Sequence, residues 1–71
     1  MKNNPQSLTK RELEIVKLLM LYLDRNDIAE KLGIKLSTLD SHTRHIREKL
    51  GIQSTLQIIK WGFHNKLNMK N

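Results

Sequence analysis

An all-α domain of four helices is the fold this sequence predicts, and three observations predict it. The 71 residues hold one proline and three glycines, with few strand-like alternations of apolar and polar positions. Residues 36–50, LSTLDSHTRHIREKL, place Leu39, Ile46 and Leu50 on one side at helical spacing, with His42 and Thr43 filling the turn between them. Just upstream, NDIAEKLGI reads as a shorter helix ended by Gly33. Ala29 is small enough for a close helix crossing, Gly33 permits a positive φ, and Leu39 anchors the second helix onto the first. Two helices joined through a tight glycine turn, the second with a polar outer face, form the helix-turn-helix pattern. That face carries Asp40, Ser41, Arg44 and His45, flanked by Arg47 and Lys49, and can both donate and accept hydrogen bonds.

Taken in order, residues 1–7 are polar and aperiodic and read as a flexible N-terminal tail or linker. Thr9 opens the first helix with a capping box to Glu12, and Leu8 is placed to staple onto Leu13. Leu13, Val16, Met20 and Leu23 form its core stripe, widened by Ile15 and Leu19, while Leu18, Leu21 and Tyr22 exceed what one buried face requires. Asp24 is placed to cap the second helix, with Asp27 in its first turn and Ile28 and Leu32 facing inward. The third helix starts either at a Ser37–Asp40 capping box or two residues earlier at Lys35, and it ends at Gly51. A Ser54–Gln57 box opens the fourth helix, which runs to about Leu67. That helix has one apolar stripe of Leu56, Ile59 and Phe63 and a second of Ile58 and Trp61. The domain thus spans 8–67, and 68–71 form a C-terminal tail.

Thirteen Lys and Arg against seven Asp and Glu leave a net charge of +6. From Ser41 onward six basic residues face one acid, Glu48, for +5, and the first forty residues contribute +1. A basic half is the electrostatic footprint of a nucleic-acid binder, persuasive here because the helix-turn-helix pattern sits on it. With no cysteine, neither a disulfide framework nor a thiolate metal site is available. The longest apolar run, Leu18 to Leu23, is too short to span a bilayer, so a membrane partner is not expected and a cytoplasmic location is. His42 and His45 give an H-x-x-H spacing without a third ligand, a poor zinc site. Asp40, Ser41 and His42 are consecutive on a helix and point apart, so they form no triad. No catalytic residues, metal or cofactor are expected.

The blocks L-T-K-R-E-L-E-I-V-K-L-L, D-I-A-E-K-L-G-I and T-L-D-S-H-T-R-H-I-R-E-K-L-G-I follow one another at a spacing that resembles the LuxR-type (GerE-like) helix-turn-helix domain. The resemblance covers about residues 8–66. It implies a four-helix bacterial transcription regulator whose third helix, about 36–50, enters the major groove of double-stranded DNA, and whose fourth commonly carries a dimer contact. Two half-sites would then lie about one helical turn apart. It also brings in RNA polymerase and an N-terminal regulatory domain as further partners. Asp40 stands where the family usually has Lys or Arg, Thr55 where it has Arg before the fourth helix, Tyr22 at its glycine, and Lys35 at its helix-capping hydroxyl.

Carried over, Asp40, Ser41, Arg44 and His45 are the base-reading positions. Arg44 suits guanine O6 and N7, and Asp40 either accepts from cytosine N4 or caps the helix. Arg25, Lys35, Thr38, Arg47 and Lys49 are the phosphate-contacting set, which fixes register without reading sequence. Ile58 and Trp61 are assigned to a dimer interface or to packing against the first helix. Two rivals share the fold: a protein-interaction module that has lost DNA affinity, motivated by Asp40 and Thr55, and the DNA-reading region of a sigma factor.

Overall fold

Side-chain caps open three of the four helices, and left-handed glycines close two of them. A computed structural model describes residues 7–21 and 23–67. The tails expected at 1–6 and 68–71, and the reading of Tyr22, lie outside these residues. Helix α1 (Lys10–Met20) starts at Thr9, whose hydroxyl accepts from the Glu12 N–H while the Glu12 carboxylate accepts from the Thr9 N–H. Helix α2 (Arg25–Leu32) starts at Asp24, which accepts from the Asn26 N–H. Helix α3 (Leu36–Leu50) starts at Lys35 with no side-chain cap, so the Ser37–Asp40 box is not used. Helix α4 (Thr55–His64) opens on the Ser54–Gln57 box.

Gly33 and Gly51 close α2 and α3 in the left-handed conformation, at φ 67° and 68°. In each case the next residue's N–H returns to a carbonyl five residues back, Ile34 to Ala29 and Ile52 to Arg47, at 3.0 Å. Helix α4 ends at His64, short of the expected Leu67. There Lys66 takes a positive φ of 59°, and Leu67 turns back to donate to the Gly62 carbonyl and pack on the core.

One core joins all four helices: Ile15, Val16, Leu19 and Met20 from α1, Ile28 and Ala29 from α2, Leu39, Ile46 and Leu50 from α3, and Ile58 from α4. Leu8 joins it from ahead of α1, where the expected staple placed it. Leu23, expected in the first helix, lies beyond its end and packs on the core from the connection to α2. Helix α1 packs on α4 and α3, and α3 packs on α2 and α4.

The two apolar stripes of α4 do not divide cleanly into core and surface, since Ile59 of the first is half-buried against the core. Ile58 is fully buried within the single chain and Trp61 is half-buried against the core, whereas Leu56 and Phe63 face solvent. Of the two assignments given to Ile58, dimer interface or packing within the domain, its full burial in the single chain favours the second. The close approach of α1 decides the inward face. Gly62 is buried on it, and a Cβ there would stand 2.9 Å from Val16 Cγ1 and closer still to Met20 Sδ.

Candidate nucleic-acid interface

The inward face of α3 fixes what its outward face presents. Leu39, Thr43, Ile46 and Leu50 recur at four- and three-residue steps and are all buried. Thr43 is tolerated there because its hydroxyl donates to the Asp40 carbonyl at 2.9 Å. The opposite side is left to Asp40, Arg44 and His45, which are exposed, and to Ser41, which is half-buried. All four residues expected to read bases thus share the outer side of one helix. His42 is half-buried, at the inner edge where the sequence places it.

The expected phosphate-contacting residues divide. Lys35 and Thr38 are exposed at the start of α3, and Arg47 is half-buried on its flank. Among the described residues, no carboxylate pairs with Lys35, Arg44 or Arg47. Lys49 is committed elsewhere: its ammonium donates to Glu12 Oε1 at 2.8 Å. Glu12 is 5% exposed and was legible in the sequence only as a capping residue. Burial pushes its carboxyl up, but the Lys49 ammonium and the Thr9 hydrogen bonds outweigh this and hold it below the ordinary value. This buried carboxylate ties the start of α1 to the end of α3.

Asp40 and Arg25 are brought together across the helix-turn-helix. Arg25 Nε donates to Asp40 Oδ1 at 3.2 Å and Nη2 to Oδ2 at 3.0 Å, a bidentate pair. Sequence reasoning gave each residue to DNA separately. Their opposite charges at the openings of consecutive helices were the available signal, but pairing them required the crossing geometry. Arg25, Asp40, Arg47 and Thr55 surround a notch of about 290 Å³ between α2, α3 and the start of α4.

A family model described as bacterial regulatory proteins, luxR family (GerE), matches residues 6–61. The oxygen regulatory protein NreC of Staphylococcus aureus strain JH9 is 38% identical over 60 residues, and NreC of strains JH1 and Mu3 matches to the same extent. The matched stretch is 84% of this chain and 28% of the length of each of these relatives.

Proposed function

Since the chain belongs to the luxR family of bacterial regulatory proteins, we propose that it regulates transcription by laying α3 in the major groove of double-stranded DNA. The observation that carries this reading is the outer face of α3. Arg44 and His45 are exposed, and Arg44 has no carboxylate partner among the described residues, on a helix whose other face is locked into the core. Ser41, Arg44 and His45 are the base-reading set in this proposal, and Lys35, Thr38 and Arg47 contact phosphates. The role places the protein on the nucleoid in the cytoplasm. RNA polymerase and an N-terminal regulatory domain are proposed partners of the whole protein. No helix among the described residues is long and apolar enough to cross a membrane.

Binding to a labelled mixed-sequence duplex, followed by anisotropy at several salt concentrations, tests the reading. The affinity is expected to fall with a log–log slope of about −0.9 per phosphate contacted. Absence of binding at about 50 mM salt, where phosphate contacts are strong, would overturn it in favour of a protein-interaction module. Once an operator has been selected, Arg44→Ala is expected to weaken binding about tenfold, or about 1.4 kcal/mol. That loss lies within the range of one bidentate guanine contact, and preference should relax at one base pair. Unchanged affinity and preference would remove Arg44 from the base-reading set.

A dimer through α4 is part of the proposal, carried by Leu56 and Phe63, which are 60% and 42% exposed and two helical turns apart. Phe63→Glu is expected to convert a concentration-dependent dimer to a monomer in sedimentation and to remove the concentration dependence of the melting temperature. A wild-type monomer at high concentration would refute the dimer.

A further inference from the structure

Beside the apolar Leu19 and Leu39, the notch between α2, α3 and α4 carries Arg25, Arg47 and Thr55, groups that bind anions, and Asp40, which already plays the anion. Arg25 grips both carboxylate oxygens of Asp40, at 3.2 and 3.0 Å, in the fork geometry with which a guanidinium also holds two phosphate oxygens. Arg47 lines the same notch with no carboxylate partner among the described residues, and Thr55 adds an exposed hydroxyl. Two guanidiniums against one carboxylate leave the notch positive. The side chains of Arg25 and Asp40 are 57% and 51% exposed, so solvent screens their pair and it exchanges readily.

We propose that this notch seats a phosphodiester of the bound DNA, and that Asp40 occupies the seat in the free protein, so that Arg25 reaches the phosphate only by leaving Asp40. The proposal rests on the DNA-binding reading above and adds a function for the acid on the reading helix. On exchange, Arg25 gains a phosphate and Asp40 loses its counter-charge beside a polyanion. The swap releases no net counterion, because the freed carboxylate collects a cation as the phosphate gives one up. Asp40 thereby opposes binding to every sequence alike and holds down affinity for random DNA. The penalty falls equally on operator and random DNA, so both affinities are lowered and the ratio between them is unchanged.

The test uses the whole chain, a labelled mixed-sequence duplex and four proteins: wild type, Asp40→Asn, Arg25→Gln and the double variant. Both positions are about half exposed, so all four are expected to fold, which thermal melting checks. Asp40→Asn should steepen the log–log salt slope by about 0.9, the release of one further counterion, and so tighten binding about eightfold at about 0.1 M salt. In the Arg25→Gln background that gain should collapse. Wild-type binding with no gain in Asp40→Asn would overturn the seat while leaving the DNA-binding reading intact. An undiminished gain without Arg25 would also overturn it, since bare charge repulsion by Asp40 would then be the cause. Failure of every protein to bind at about 50 mM salt would overturn both readings together.

Discussion

Gly62→Val is expected to destabilise the domain by about 2–3 kcal/mol, the cost of forcing a branched side chain into a packed interface. Gly62 is the point at which α4 lies on α1, with Val16 and Met20 immediately across from its Cα. A methyl group alone would stand 2.9 Å from Val16 Cγ1. Met20 has a flexible chain and can swing aside, but Val16 is branched at Cβ and rotates little in a helix. Gly62→Ala is therefore expected to be near neutral, because the helix propensity gained, about 1 kcal/mol, offsets the crowding. Valine adds two further carbons with no space to enter, and α4 must lift from α1. In a domain of this size the loss corresponds to a fall in melting temperature of roughly 10–20 °C. Circular dichroism melts of the three proteins measure it. A valine variant that melts with the wild type would show that the helices separate at this point without cost. DNA binding of the valine variant should return on cooling, since no residue of the reading face is altered.

Glu12→Ala is expected to cost about 2–3 kcal/mol, because it strips a buried acceptor from two donors at once. The lost bonds are those from the Thr9 N–H at 2.9 Å and the Lys49 ammonium at 2.8 Å. Of these, the Lys49 bond holds the end of α3 to the start of α1. Glu12→Gln keeps an acceptor for the cap and removes only the charge, so it should cost less and alter the pH response. The Glu12 carboxyl is held below its ordinary 4.5 in the folded protein. The folded state therefore binds this proton less readily than the unfolded chain. The stabilisation is present in full above the ordinary value and is lost as pH falls through the lower, folded value. Melting temperatures recorded from about pH 6 to about pH 3 should fall more steeply in the wild type than in Glu12→Gln across that window. Parallel curves would mean that the Glu12 charge contributes nothing to stability.

Features governed by neighbours within one or two helical turns were legible in the amino-acid sequence. The Thr9–Glu12 and Ser54–Gln57 boxes, the Asp24 cap and the left-handed glycines at 33 and 51 are each set by residues a few positions apart. The spacing of Leu39, Ile46 and Leu50 likewise determines which side of α3 turns inward, and so which side offers Ser41, Arg44 and His45. Family membership was legible for a related reason: it rests on ordered blocks of such positions.

Only the tertiary structure decided which of the two apolar stripes of α4 enters the core. Both have helical spacing, and the face that carries Ile58 and Gly62 turns inward where α4 lies against Val16 and Met20 of α1. The tertiary structure also decided the partners of the charges. Glu12 and Lys49 are 37 residues apart and Arg25 and Asp40 are 15 apart, beyond the reach of any periodicity. A charge in a sequence has a sign and an approximate face, but its partner depends on how helices cross. Lys49, expected at the DNA backbone, thus meets a buried glutamate, and Asp40, expected at a base edge, meets an arginine. The sequence by itself determined the four helices and the face they turn outward; the crossing of those helices determined which charges on that face are paired.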